Sequence, residues 1–247
     1  MKTQLIKIGQ AAKLLGVSID TLRRYDKSGK FPSIKTGTKG HRHYRLSDIE
    51  DRLKSSQDLT KLAKSWSESL NGFEINPQLY CQTRDVFQSR LEVMQFHLNK
   101  EFPIEITSLA TAITGEIGNN SFDHNLGNWS DIMGVFFAYD LKKKEIILAD
   151  RGQGIFKTLK RVKPELKTHT QALKIAFTKI ISGRPSEARG NGLKFVKLVV
   201  TNHPFVLDFQ SGNAVLKLKQ GDKKLIIRKT PNQIKGCFAK ITIKENI

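Results

Sequence analysis

Apolar and polar positions change rhythm several times along the chain, and each change marks an element. In residues 104–120, IEITSLATAITGEIGNN, the residues Ile106, Leu109, Ile113 and Ile117 recur at helical spacing. Residues 81–100 place Val86, Phe87, Leu91, Met94 and Leu98 on another such stripe, a packing helix or, alternatively, a homodimer interface. IMGVFFAYD and EIILAD are strand-like runs joined across LKKK, which predicts a β-hairpin. The last third alternates in FVLDFQ, NAVLKLK, KLIIRK and CFAKITIK, strands that complete a mixed sheet.

The N-terminal residues follow a different plan. IKIGQAAKLLGVS predicts a short helix with Ala11, Ala12, Leu14 and Leu15 inward and a tight turn at Gly16. SIDTLRRYDKSG predicts a second helix, capped by Ser18, burying Ile19 and Leu22 and stopped at Gly29. FPSIKTGTKGHRHYRL reads as a basic hairpin with Gly37 and Gly40 in its turn, and SDIEDRL opens a helix with a capping box of Ser47 and Glu50. Residues 55–76 shift to Ser, Gln and Asn and form the expected boundary.

Charge adds a partner class. The net charge is +19 over 247 residues. Residues 1–57 hold 13 Lys/Arg against 5 Asp/Glu, an excess of 8; the remainder hold 29 against 18, an excess of 11. Such a chain is drawn to polyanions, nucleic acid first, with a solubilising lysine-rich surface as the alternative. No apolar run approaches the roughly 20 residues that span a bilayer, and MKTQLIKIGQ lacks the apolar core of a signal peptide. Two distant cysteines, Cys81 and Cys237, suit a reduced cytoplasmic interior and supply no metal set.

The candidate chemistry gathers in three short motifs. On a helix, Glu116 and Asn120 are four apart and share a face. Asn120 offers a carbonyl oxygen to a hard cation such as Mg2+, and Glu116 can polarise a water bound there. A solvated polar face is the alternative. IILADRGQGI is an apolar run ending in Asp150, Gly152 and Gly154, and ARGNGLKFVKLVV places Gly190, Gly192 and Leu193 at the start of an apolar helix. Glycines let backbone approach a ligand closely, and they also simply make turns.

In this order, the three motifs resemble the GHKL ATP-binding fold of gyrase, the heat-shock chaperone, MutL and histidine kinases, over about residues 100–247. The resemblance implies ATP and Mg2+ as cofactors. Asn120 would hold Mg2+ and Glu116 would be the general base. Asp150 would accept from the adenine amino group, with Gly152 and Gly154 shaping its pocket. Gly190 and Gly192 would let the backbone close over phosphates at a helix N-terminus. Residues 156–189 would be the ATP lid, with Lys157, Lys160, Arg161, Arg184 and Arg189 near enough in sequence to meet phosphates. Many kinases of the family have a further glycine where this chain has Ala188.

AAKLLGVSIDTLRRYDKSGKFP and GHRHYRLSDIEDRL resemble the MerR-type winged reader and that of excisionases, over most of residues 5–54. The second helix would enter the major groove of double-stranded DNA. Ser18, Thr21, Arg23 and Arg24 are expected to face DNA, with Tyr25 on phosphate. Arg42, His43, Tyr44 and Arg45 in the wing would grip backbone or a minor groove.

The expected architecture is therefore two domains, an all-α-rich winged helix-turn-helix followed by an α/β sandwich with a mixed sheet. Residues 1–56 form the reader, 57–100 a linker and helical connector, and 101–247 the GHKL ATPase-like domain. The expected function is a nucleotide-responsive DNA-binding protein, a regulator or a mobile-element or defence component, that slowly hydrolyses Mg-ATP. A serine/threonine kinase of the anti-sigma-factor type, acting on a partner protein, and a non-hydrolysing ATP-binding module are the alternatives. Histidine autokinase activity is not expected, because His97 lacks an acidic neighbour.

Overall fold

The structure is a computed structural model, and it describes residues 5–15, 17–36, 40–49, 58–179 and 191–244. The chain forms two compact units, Met1–Asp58 and Leu59–Ile247.

In the first unit, β1 (Leu5–Lys7), α1 (Ile8–Leu15), α2 (Ile19–Lys27), β2 (Ile34–Thr36) and β3 (His41–Arg45) follow in order. The three strands form one antiparallel sheet, β1-β3-β2. Ser18 caps α2, its side chain accepting from the Thr21 backbone N–H at 3.0 Å. Gly29, past the end of α2, has a φ of +71°, which a residue with a Cβ rarely adopts. The small core is Ala11, Ala12, Leu22, Phe31, Tyr44 and Ile49. Ile19, expected inside, is 40% exposed, because the first turn of α2 projects beyond that core. Gly16, Gly37 and Glu50, and hence the capping box, lie outside the described residues.

The second unit begins earlier than the ATPase boundary expected at residue 101. Helix α3 (Leu59–Glu68) buries Leu59, Ala63 and Trp66, a helical stripe hidden among Ser and Lys. Residues 59–100, within the expected linker and helical connector, fold with the second unit. After β4 (Tyr80–Cys81) come α4 (Arg84–Leu98) and α5 (Ile104–Asn125), then the hairpin β5 (Val135–Asp140) and β6 (Glu145–Asp150). Next are α6 (Gly154–Lys160), α7 (His169–Thr178) and α8 (Gly192–Asn202). β7 (Phe205–Ser211), β8 (Ala214–Lys219), β9 (Ile227–Lys229) and β10 (Cys237–Ile243) complete the unit.

Seven strands form one sheet in the order β4-β5-β6-β10-β7-β8-β9. Every pairing described is antiparallel rather than mixed. The reason is connectivity: β5–β6 and β7–β8 are tight hairpins, and β10 enters between β6 and β7 opposite in direction to both. One face carries the main core, where Phe87, Leu91, Met94 and Leu98 of α4 meet Ile113 and Ile117 of α5 and Val196 and Val200 of α8. Helices α4 and α5 approach closely at Gly118, where a Cβ would stand 2.1 Å from the Phe87 ring. Helix α3 covers part of the other face, with Trp66 against Phe136 and the cluster around Phe238. A helix-rich winged unit is thus followed by a large antiparallel sheet packed with helices, the order expected of a reader and an α/β sandwich.

Candidate functional site

The long helix α5 presents two polar faces. Glu116 and Asn120 point toward the first residue of α8: a Cβ on Gly192 would stand 2.4 Å from Glu116 Oε2 and 3.3 Å from Asn120 Nδ2. Only glycine leaves that space open. Asn119 points instead to α4 and accepts from Gln88 Nε2 at 2.8 Å. The first turn of α8 receives no side-chain cap from Asn191. The N–H groups and dipole of a helix start are suited to anions.

Around the end of α5, Ser121 and Asn125 turn to β6. Ser121 Oγ donates to Asp150 Oδ2 at 2.8 Å, and the Gly152 N–H donates to Asp150 Oδ1, also at 2.8 Å. Asn125 Nδ2 lies 3.5 Å from Asp150 Oδ1, and its Oδ1 accepts from the Gln153 N–H at 2.8 Å. Asp150 is 2% exposed. Burial pushes its carboxyl up to about 6, although hydrogen bonds from Gly152, Ser121, Cys237 N–H and Asn125 oppose the rise. Three glycines enclose this group. A Cβ on Gly236 would stand 2.1 Å from Asp150 Oδ1, and one on Gly152 would stand 2.0 Å from Asn125 Nδ2. Gly154 has a φ of +71° and faces the Gly236 carbonyl and Ser211.

Asp150, Gly152 and Gly154 thus meet in one place, and Glu116, Asn120 and Gly192 in another, on opposite faces of the same helix. The donor set suits the group that the resemblance implies. Two carboxylate oxygens offer about four acceptor positions, so Asp150 can take a further donor beside those already bound to it. The uncapped α8 terminus beside Asn120 suits a phosphate with its hard cation. Leu193, next to Gly192, is partly buried and packs against the main core. Gly190, Arg189, Arg184 and Ala188 lie outside the described residues. Lys157 and Lys160 are exposed, whereas Arg161 is engaged with Gln153 and, at 3.2 Å, with Asn128 Oδ1.

Sequence reasoning missed Ser121, Asn125, Ser211, Gly236 and Arg151. Ser121 and Asn125 are four apart on one helical face, a signal the sequence carried. Gly236 and Ser211 reach Asp150 only through strand pairing. Arg151 is fully buried, with its guanidinium bound to Asp131, 2.5 Å from Oδ2, and to the backbone carbonyls of Trp66 and Leu70. It ties the strand end that carries Asp150 to α3.

In the first unit, the surface of α2 bears exposed Ser18, Arg23 and Arg24 and a partly exposed Thr21 and Tyr25. Arg23 pairs with Asp20 at 2.9 Å, a contact open to solvent and easily exchanged. Arg24 has no ion pair among the described residues. Arg45 is exposed and His43 half-buried, its Nδ1 2.8 Å from Thr36 Oγ1. One expectation for the wing is corrected. Tyr44 is 2% exposed and stacks on Phe31 at 5.2 Å, because alternation along β3 turns it inward. It is a core residue and cannot contact DNA in this fold. Arg42 shares that inward side and gives its Nε to Asp26 at 2.7 Å. Hydrogen bonds from the Ser33 N–H and Arg42 hold the Asp26 carboxyl down at about 2.

Among the described residues no cluster of His, Cys, Asp or Glu could hold a metal by itself. No helix is long and apolar enough to cross a membrane. Both cysteines are free.

The first unit is of the winged helix-turn-helix class. Residues 7–44 match the family model described as MerR family regulatory protein. No curated protein matches the chain. Among solved structures, the 43K ATPase domain of Thermus thermophilus gyrase B, in complex with an aminocoumarin, is similar at a TM-score of 0.33 and 16% identity. That likeness covers 53% of this chain and spans 33% of the other, too little to bear on function.

Proposed function

We propose that the protein is a nucleotide-responsive DNA-binding protein, in which the MerR-type unit reads duplex DNA and the second unit binds Mg-ATP. The observation that carries the reading is the convergence on α5. Glu116 and Asn120 stand against the uncapped start of α8, and Ser121 and Asn125 hold the buried Asp150 on the helix's other side. Bound nucleotide supplies the γ-phosphoryl group and its Mg2+. The chain's own residues supply the rest. Asp150 would accept from the amino group at C6 of adenine, the place where guanine carries a carbonyl, and so would select adenine. Asn120 would offer an oxygen to the cation, and the α8 backbone N–H groups would take phosphate oxygens. Glu116 would take the proton of a water that attacks the γ-phosphorus as ADP leaves.

On the DNA side, Arg24 and Arg23 are the base-reading candidates, with Ser18, Thr21 and Tyr25 positioning α2 on phosphates. Arg45 and His43 contact the backbone from the wing. The testing experiment is selection from a random-site duplex library with no nucleotide, with ADP, and with a non-hydrolysable ATP analogue. The expected result is one enriched site whose affinity changes about 5- to 150-fold with nucleotide state. Enrichment of no site removes the DNA reading, and equal affinity in all three states removes the coupling.

A further inference from the structure

The outer face of the seven-stranded sheet is only partly covered. Helix α3 packs on β6 and β10. Beside it, the outward residues of β7, β8 and β9 form a groove of about 570 Å³ with Lys64 of α3 on its rim. Alternation on β8 sends Leu216 and Leu218 into the core and Lys217 and Lys219 outward. Asp208 faces this groove between two cations, 3.6 Å from Lys217 Nζ and 3.8 Å from Lys240 Nζ; Lys240 is also paired to Glu145 at 3.0 Å. Asp222 is turned to backbone, accepting from the Lys219 N–H at 2.9 Å. Lys219 and Arg228 have no carboxylate partner among the described residues, and both are exposed. Over residues 217–229, KLKQGDKKLIIRK, six cations stand against one acid.

Lysines on an exposed sheet edge also deter strand pairing. That role accounts for charge on the edge strand β9. It does not account for Lys217 and Lys219 on the strand inside it, or for Lys64 on the neighbouring helix. Charge complementarity points to a polyanion.

We propose that this face binds the phosphodiester backbone of duplex DNA, as a second and sequence-independent contact that rests on the DNA-binding reading above. A single reader of this size offers little area, and backbone contacts elsewhere in the chain would supply the affinity it lacks. Lys217, Lys219 and Arg228 each take a phosphate.

The test uses the full chain carrying Lys217→Gln, Lys219→Gln and Arg228→Gln together. Affinity is measured against salt concentration on the selected and a scrambled duplex. Each lost phosphate contact should flatten the slope of log affinity against log salt by about 0.9, so the slope should fall by about 2 to 3 on both duplexes, with their ratio unchanged. In the wild-type chain, duplex DNA should also protect Lys217 and Lys219 from amine acetylation, a readout independent of the variant's folding. Wild-type protein that binds no duplex overturns the DNA reading itself. Wild-type binding with an unchanged slope in the variant, and no protection of either lysine, overturns only this proposal. Capture of an acidic protein on this face without DNA protection overturns it as well.

Discussion

The carboxylate of Glu116 occupies the space where Gly192 lacks a side chain: a Cβ there would stand 2.4 Å from Oε2. Two residues 76 positions apart thus share one small volume at the start of α8. That arrangement joins the proposed base to the proposed phosphate site, and it makes the pair separately testable. The clashing atom is the far end of a flexible side chain, so Gly192→Ala should move Glu116 rather than unfold the protein. We expect a thermal midpoint lowered by no more than about 4 °C, roughly 1 kcal/mol for a chain of this size. ATP turnover should fall at least tenfold. A thermal scan beside a phosphate-release assay checks both.

Glu116→Ala and Asn120→Ala should part company. Glu116→Ala should keep ATP binding and lose hydrolysis by about 100-fold or more, in line with removal of a general base. Asn120→Ala should lose the Mg2+-dependent part of binding. Calorimetry with and without Mg2+ separates them, and wild-type release no faster than that of Glu116→Ala would leave the second unit a sensor.

Nucleotide affinity should depend on pH through Asp150, whose carboxyl is pushed up to about 6 by burial. The ionised form is the stronger acceptor from an amino group. Affinity should therefore be full well above pH 6 and fall about tenfold by about pH 5. The stability effect has the opposite sign. The folded state holds this proton more tightly than the unfolded chain, so this group adds stability as pH falls from about 6 toward its ordinary value of 3.8. Asp150→Asn should weaken ATP binding and remove both dependences, as titration calorimetry and thermal scans across that range would report.

In the reader, Arg24→Ala should cost about 1–3 kcal/mol on the selected duplex and relax preference at one base pair. Tyr44→Phe should leave DNA affinity unchanged, because the ring is buried against Phe31. Arg42→Ala should lower stability as well as affinity, since it strips Asp26 of its partner. That loss should be largest above the ordinary carboxylate range and vanish as pH falls toward 2, where Asp26 itself is protonated. Fluorescence anisotropy on selected and scrambled duplexes, with thermal scans against pH, checks all three.

Arg151→Met should destabilise the second unit by about 3 kcal/mol or more, because a buried guanidinium holds Asp131 and two backbone carbonyls of the α3 region. The variant should also lose protection from amide exchange in residues 59–72 before the rest of the unit. Uniform loss across the sheet would show that Arg151 does not pin α3.

Much of this protein was legible as a one-dimensional pattern. The reader's helices, the long α5, the β5–β6 hairpin and the alternating C-terminal strands are local periodicities, and a helix or strand buries one face wherever it packs. The Glu116–Asn120 pairing also follows from helical spacing alone. What the pattern could not carry was decided by contacts between distant segments. The inward turn of Tyr44 depends on which face of the wing meets α2. The attachment of α3 rests on Phe136, Phe238 and Arg151, all remote from it in sequence. The direction of β10 made the sheet antiparallel, and only that strand's place beside β6 brings Gly236 against Asp150. Side-chain periodicity is set by backbone geometry within one element. Sheet direction, enclosure of a buried carboxylate and the pinning of a helix are set by how elements close on one another.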